Sequence, residues 1–144
     1  MQTKQKALRK FNRVLISSLN TGEPDQLDES LVTSVTEQIP ADFNMEDALI
    51  ISFVNQCHWM LVTLSTIYWC VDGDVNQLKI DSLESAKLDL LTNKKMGFDS
   101  KIGFNIISLF TQENEIFNVK IEGGSSLEAT MALINELIAL RKAV

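Results

Sequence analysis

Residues 67–80 read IYWCVDGDVNQLKI, with two runs rich in aromatic and β-branched residues on either side of an Asp-Gly-Asp turn. These residue types favour strands, and Gly beside Asp favours the two-residue turn of a tight hairpin. We place the turn at Gly73 and Asp74. The facing pairs are then Trp69 with Leu78 and Ile67 with Ile80. Because these apolar side chains share one face, the stretch predicts an antiparallel hairpin with one buried side.

The acidic residues of this turn also allow a different interpretation. Asp72, Asp74 and Asn76 occupy alternate positions, as the first ligands of a calcium-binding loop do. Such a loop needs Gly at its sixth position and a carboxylate at its twelfth, where this chain has Gln77 and Leu83. We therefore predict a hairpin turn and no metal site.

The same strand signals continue through the middle of the chain. Short apolar runs broken by turn residues are typical of an antiparallel meander. The predicted strands are ALIISFV, HWMLVT, IYWCV, NQLKI, ESAKLDL, FNIISLFT and EIFNVKI. A second hairpin, with its turn at Glu113 and Asn114, would place Phe110 opposite Phe117. Residues 91–103 are predicted to be a loop.

Two helices are predicted before the strands. Residues 3–20 repeat apolar residues at steps of three and four, which places on one helical face Leu8, Phe11, Leu15 and Leu19. The second predicted helix covers residues 25–39, with Asp25 as its N-terminal cap. Its apolar residues have the same spacing and are Leu27, Leu31, Val35 and Ile39.

A third helix is predicted at the end of the chain. Ser125 and Glu128 have the spacing of a capping box. The apolar stripe that follows is Leu127, Met131, Ile134, Leu137 and Ile138. We expect this stripe to pack on the sheet. The predicted fold class is therefore α+β: a bent antiparallel sheet or partly open barrel of about seven strands, with a C-terminal capping helix and two N-terminal helices.

Charge is distributed unevenly along the 144 residues. The formal net charge is −6, and all 19 acidic residues follow residue 20. The first 20 residues carry Lys4, Lys6, Arg9, Lys10 and Arg13. An acidic body repels phosphate backbones, so we expect no nucleic-acid partner. No run approaches the ~20 apolar residues of a membrane-spanning helix, and no secretory signal is apparent, so we expect a cytoplasmic protein.

Few residues suggest catalysis. Cys57 and Cys70 are the only cysteines, and on paired strands they would not face one another, so we expect reduced thiols. His58 is the only histidine and follows Cys57 directly. Neighbouring residues on a strand point to opposite faces, so this pair cannot form a thiol and base site. Contact between His58 and Cys70 across the sheet stays open as an alternative.

Residues 46–140 resemble bacterial pleckstrin-homology-like domains, the group that includes GRAM domains. The matching stretches are WMLVTLSTIYWCV, LKIDSLESAKLD and NEIFNVKIEGGSSLEATMALINELI. The resemblance implies a strongly bent seven-stranded sheet with a helix across one open end, and a binding module for lipids, peptides or proteins that is not an enzyme. Lipid-binding members carry basic residues in the first inter-strand loop, where this chain has NQCH, so phosphoinositide binding is not expected.

We accordingly expect residues 1–45 to form a helical pair packed on a pleckstrin-homology-like domain at residues 46–144. The predicted function is non-catalytic binding of a protein partner, without metal or cofactor. The predicted contact residues are Lys94, Lys95, Lys101, Arg9 and Arg13. One alternative is attachment to an anionic membrane through the basic first helix. Another is a small-ligand carrier or enzyme that uses the sheet interior, with a deep pocket that presents Cys70, His58 or Tyr68 together.

Overall fold

The computed structural model describes residues 3–40, 43–88 and 105–143. Within these ranges the helices are α1 (Thr3–Val14), α2 (Glu29–Thr36) and α3 (Ser125–Lys142). The strands are β1 (Thr21–Gly22), β2 (Ala48–Asn55), β3 (His58–Thr63), β4 (Thr66–Val71), β5 (Asp74–Lys79), β6 (Leu83–Leu88), β7 (Ile106–Thr111) and β8 (Ile116–Lys120). Short 3-10 turns occupy Pro24–Gln26, Met45–Asp47 and Ile80–Ser82.

The described strands form two antiparallel sheets. One has the order β1-β2-β3-β4-β5 and the other has the order β6-β7-β8. The α+β class with antiparallel strands and a C-terminal helix is confirmed, and the prediction of a single bent sheet is corrected to two sheets of five and three strands. The 3-10 turn at Ile80–Ser82 separates β5 from β6, and β6 pairs with β7 instead. Buried Ile80 anchors that turn in the core.

The main core lies between the two sheets and is closed by α1 and α3. We call this cluster the inner core; its largest members include Phe11, Met60, Trp69, Ile107 and Leu109. The rings of Trp69 and Phe117 lie 5.5 Å apart, joining β4 of one sheet to β8 of the other. The predicted packing of the C-terminal helix is confirmed, since Leu127, Ile134, Leu137 and Ile138 are buried there and Met131 packs against them.

A second cluster, the outer core, covers the opposite face of the five-stranded sheet. The side chains of α2 in this cluster include Leu31 and Val35, and the sheet contributes Trp59, Leu61 and Cys70. Both faces of β2 and β3 are therefore buried. This explains why these strands are almost continuously apolar instead of alternating with polar residues.

The N-terminal segment differs from the predicted pair of long helices. α1 packs against α3 and the inner core, whereas α2 packs on the outer core. The two-residue strand β1 lies between them in sequence and pairs with β2. The two helices therefore cover different surfaces of the sheets.

The first hairpin has the predicted buried face but a different turn. Its turn residues are Asp72 and Gly73, with φ values of 51° and 87°. Positive φ at both positions is typical of the primed hairpin turns. Trp69 consequently pairs with Asn76, two residues away from the predicted partner Leu78. A two-residue displacement preserves the alternation, and both Trp69 and Leu78 face the inner core as predicted.

The predicted pairing of the second hairpin is wrong by one residue. Residues 112–114 form a three-residue turn that ends at Asn114, whose φ is 67°. Leu109, and not Phe110, therefore lies opposite Phe117. A one-residue slip reverses which face each side chain occupies. The left-handed conformation of Asn114 accommodates the extra residue.

The helix boundaries also differ from the predictions. α1 ends at Val14, so Leu19 is exposed, whereas Leu8, Phe11 and Leu15 pack on the inner core as predicted. The cap of α2 is not Asp25, which belongs to the preceding 3-10 turn. Asp28 caps the helix instead: its Oδ1 accepts a hydrogen bond from the Ser30 backbone N–H at 3.0 Å, which lowers the pKa of the carboxyl group.

The predicted capping box of α3 does not form. Gly124, with φ 70°, occupies the cap position, and Ser125 is already the first helical residue. The Ser125 hydroxyl instead bonds to the segment that follows α1, donating to the Ser17 carbonyl at 2.9 Å. This contact links the segment after α1 to the first residue of α3.

Candidate interaction surface

Basic side chains line one exposed face of α1. We call this surface the basic face, and it consists of Lys6, Arg9, Lys10 and Arg13, all exposed. Steps of three and four residues place the four side chains within an arc of about 100° on a helix of 3.6 residues per turn. They therefore present one continuous strip of positive charge.

The rest of α1 fixes the direction of the basic face. Ala7 and Phe11 are buried in the inner core, and α1 packs along α3. Lys4 has a different role from the other basic residues, because its Nζ donates a hydrogen bond to the Glu46 carbonyl at 3.0 Å. The core contacts of Ala7 and Phe11 and the hydrogen bond of Lys4 thus fix the orientation of α1, and the basic face points to solvent.

The basic face has no acidic partner among the described residues. The ion pairs in those ranges are Arg141 with Asp81 and Lys142 with Glu84, and Asp72 contacts the His58 imidazole. None of them includes a residue of the basic face. Its positive charge is therefore available to an external anionic group, on a chain whose other parts are acidic.

Two large aliphatic side chains follow the basic face. Ile16 is 89% exposed and Leu19 is 88% exposed, the two highest values among the exposed large hydrophobic residues. We call them the aliphatic pair. Single exposed hydrophobic residues are ordinary, but two that are close in sequence and directly follow the basic helix are candidates for contact with a partner.

Hydrogen bonds from distant residues hold the backbone of the aliphatic pair. The Ser125 Oγ accepts from the Ile16 N–H at 3.1 Å. The Glu122 carboxylate accepts from the Leu19 N–H at 2.6 Å and from the Asn20 N–H at 2.9 Å. Because α1 ends at Val14, these N–H groups have no acceptor within the helix, and the contacts with Ser125 and Glu122 satisfy them. They position Ile16 and Leu19 outward.

The predicted contact residues are only partly placed by the structure. Arg9 and Arg13 both lie on the basic face, whereas Lys94, Lys95 and Lys101 lie outside the described residues. Sequence reasoning omitted Lys6 and Lys10 from the contact residues, although their spacing from Arg9 and Arg13 indicates one helical face. It also missed Ile16, and assigned Leu19 to the buried face.

The histidine and the cysteines do not form a nucleophilic site. His58 Nε2 lies 3.1 Å from Asp72 Oδ1, and Nδ1 lies 3.2 Å from Asn55 Oδ1. The Cys70 thiol is directed instead toward Gln38 Oε1 at 3.8 Å. His58 therefore links the turn before β3 to the turn after β4. A nucleophile needs a base within hydrogen-bond reach, and in the part of the chain that the structure describes the contacts of the Cys70 thiol are with Gln38 Oε1 and the Gln56 carbonyl.

The sheet interior does not gather the side chains that an enzyme or ligand carrier was expected to use. Tyr68 lines a cleft of about 310 Å³ on the outer side of β4 and β5, together with Gln38, Ile39, Pro40, Val75, Asn76 and Gln77. Neither Cys70 nor His58 belongs to this cleft. The space between the sheets is occupied by the inner core.

Thiol reactivity provides one test of this arrangement. Cys57 is exposed and Cys70 is buried, and neither forms a disulfide. Burial raises the pKa of the Cys70 thiol, so at a given pH less of it is the reactive thiolate. We expect one thiol per chain to react rapidly with an aromatic disulfide reagent and the second only on unfolding. The Cys57→Ser variant should lose the rapid phase; a rapid phase in that variant would contradict the buried position of Cys70.

The acidic hairpin turn has ordinary structural partners. Asp72 contacts His58, and Asn76 Nδ2 donates to the Asp74 carbonyl at 3.2 Å. Residues 3–40, 43–88 and 105–143 contain no group of three or more acidic, His or Cys side chains placed to hold a metal ion. None of the helices in those ranges has the length and apolar content needed to cross a membrane.

Comparison with known proteins does not add a family assignment. A scan against models of protein families finds no match, and a search of curated proteins finds no similar sequence. The functional proposal therefore depends on the surface of the molecule: a fixed basic face and an exposed aliphatic pair.

Proposed function

We propose that the protein is a non-catalytic interaction module that binds an acidic partner protein through the basic face of α1. The observation that carries the proposal is the exposed strip of Lys6, Arg9, Lys10 and Arg13, which has no ion-pair partner within residues 3–40, 43–88 and 105–143, on a helix whose other side is anchored in the core. Complementary charge steers association and sets orientation more than it adds affinity. The acidic remainder of the chain would disfavour docking in other orientations.

Affinity would come from both parts of the surface. An exposed ion pair contributes about 0.2–1 kcal/mol, so the basic face alone supports only weak binding. Burying Ile16 and Leu19 would add roughly 1.5–3 kcal/mol for each side chain. Together these contributions amount to at most roughly 10 kcal/mol before a cost of association of about 4 kcal/mol or more is subtracted, so this surface alone supports binding weaker than micromolar.

A pleckstrin-homology-like identity belongs to the same proposal. It is supported by the stretches of residues 46–140 that resemble the family, by the antiparallel strands and by the closing helix. Members of that group are binding modules, which agrees with a surface suited to docking. Two free cysteines are compatible with a cytoplasmic location.

A second candidate is attachment to an anionic membrane through the same surface. The aliphatic pair favours it, because apolar side chains beside a basic helical face are typical of helices that lie at a lipid interface. The two candidates share the basic face but differ in the partner. Sedimentation with vesicles separates them: binding to vesicles rich in phosphatidylserine, lost at high salt and absent with phosphatidylcholine, would favour the membrane.

The principal test is charge reversal. We expect the variant Arg9→Glu/Arg13→Glu to bind a partner protein captured by the wild-type chain at least tenfold more weakly, a loss of about 1.4 kcal/mol or more. The control Lys87→Glu/Lys120→Glu makes the same change of net charge on β6 and β8. Affinity should be measured by calorimetry with the purified partner. Equal affinity of the two variants would reject the basic face as the binding surface.

A further inference from the structure

The five-stranded sheet ends in an exposed strand. Among the strands that the structure describes, β5 pairs with β4 alone, since it is the last strand in the order β1-β2-β3-β4-β5. All of its residues are exposed except Leu78, which is half-buried. An edge strand presents unpaired backbone N–H and C=O groups to any chain that can add a further strand.

The register identifies which backbone groups are free. Val71 and Asp74 are the pair that closes the two-residue turn, which makes them a hydrogen-bonded pair. In an antiparallel ladder such pairs alternate along the strands. Val75, Gln77 and Lys79 consequently direct their N–H and C=O groups away from β4. No hydrogen bond from these groups to another strand occurs among the described residues.

Within the described residues, β5 has few of the features that protect sheet edges. Its sequence DVNQLK contains no proline, and its pairing with β4 runs from Val71–Asp74 to Thr66–Lys79 without a bulge. Charged residues are found only at its two ends. Natural proteins usually blunt an exposed edge with lysines, prolines, bulges or a covering element. An unprotected edge of this length is suited to pairing.

We propose that β5 pairs antiparallel with β5 of a second copy of this chain, forming a twofold-symmetric dimer with one sheet continuous across both copies. The axis passes beside Gln77, because this register alone pairs the free groups of Val75, Gln77 and Lys79 with those of the second copy. It gives about six inter-chain hydrogen bonds, two for each hydrogen-bonded pair.

Charge complementarity favours a second copy as the occupant. β5 begins with Asp74 and ends with Lys79, so antiparallel pairing places each acidic end beside the basic end of the other copy. Parallel pairing would bring like charges together. In the proposed register the Lys79 side chain of one copy lies opposite Val75 of the other, which is 36% exposed and would be covered by the aliphatic part of that lysine.

The cleft beside β5 adds surface to the contact. It lies on the same side of the sheet as Val75 and Gln77, and its other walls are Tyr68 and the Gln38–Pro40 segment after α2. A side chain from the second copy can enter this space of about 310 Å³ next to the paired edges. The interface remains below about 1,200 Å², so we expect micromolar affinity.

The experiment is sedimentation equilibrium of the full chain over a range of concentrations. The net charge of −6 opposes association at low salt, so measurements belong at ~0.15 M salt or above, where the screening length is about 8 Å. Gln77→Pro removes an outward N–H that β4 does not use, and we expect it to raise the dimer Kd at least tenfold. Gln77→Ala keeps the N–H and is the matched control. Thermal unfolding should show that both variants are folded.

A charge exchange tests the antiparallel arrangement by itself. Asp74→Lys and Lys79→Asp should each raise the dimer Kd severalfold, because each places like charges at the same end of the paired strands. The double variant Asp74→Lys/Lys79→Asp should have a lower Kd than either single variant, since it restores opposite charges, but a higher Kd than the wild type, since Val75 loses the aliphatic cover of Lys79. A chain that stays monomeric up to ~1 mM, or a dimer unaffected by Gln77→Pro, would overturn the proposal.

Discussion

Replacement of Leu133 by alanine is expected to lower the free energy of unfolding by about 2–5 kcal/mol. Leu133 lies on the inner face of α3 and is completely buried in the inner core. Truncation removes apolar contact area and leaves a cavity that the close-packed surroundings fill only in part. Urea unfolding, followed by tryptophan fluorescence and by circular dichroism, measures the loss.

The matched control is the same substitution at Leu19. That side chain is 88% exposed, so Leu19→Ala should change the free energy of unfolding by no more than about 0.5 kcal/mol. Because Leu19 belongs to the aliphatic pair, the variant should nevertheless weaken binding to the captured partner. A similar loss of stability at both leucines would mean that α3 is not seated on the two sheets as described.

Glu122→Gln is expected to destabilise the protein by about 1–3 kcal/mol, because it leaves partly buried donors without a good acceptor. The carboxylate accepts hydrogen bonds from the N–H groups of Leu19 and Asn20, and from the Thr21 hydroxyl at 2.6 Å. A glutamine has nearly the same shape but turns an NH₂ group toward at least one of these donors. Chemical denaturation measures the loss, and proteolysis should become faster at residues 15–20.

Glu128→Gln provides the comparison for this prediction. Glu128 is exposed in the first turn of α3, and its side chain has no hydrogen-bond partner among the described residues. Its replacement makes the same chemical change and should alter stability by less than about 0.5 kcal/mol. If both glutamines have equal effects, the carboxylate of Glu122 does not hold the segment that carries the aliphatic pair.

The sequence predicted many helices and strands correctly because residues close together in the chain determine whether such an element forms. Alternating β-branched and aromatic residues predicted the strands. The buried face of the first hairpin was predicted correctly although its turn was misplaced, because a displacement by two residues leaves every side chain on the same face. The second hairpin was misassigned because Asn114 adopts positive φ, which its residue type permits but does not require. A single backbone conformation thus decided which face Phe110 and Phe117 occupy.

The division into two sheets was not predictable from the same signals. The apolar runs of β2 and β3 indicate that both faces are buried, but they do not specify what covers each face. That depends on contacts between distant elements: α2 on the outer core, and α1 with α3 on the inner core. Such contacts depend on the packing of complete surfaces and leave no periodic pattern in a short stretch of chain.

The interaction surface also combines features that the sequence determines with features that only the tertiary structure determines. Sequence alone determined that α1 is amphipathic and basic, since the spacing of Arg9 and Arg13 around buried Phe11 is a property of one helix. Only the tertiary structure decided that Ile16 and Leu19 point to solvent. Their backbone is held by residues more than 100 positions away in sequence. The physical reason is that α1 ends at Val14, and the N–H groups of Ile16 and Leu19 find their acceptors in Ser125 and Glu122, where the chain returns just before and at the start of α3.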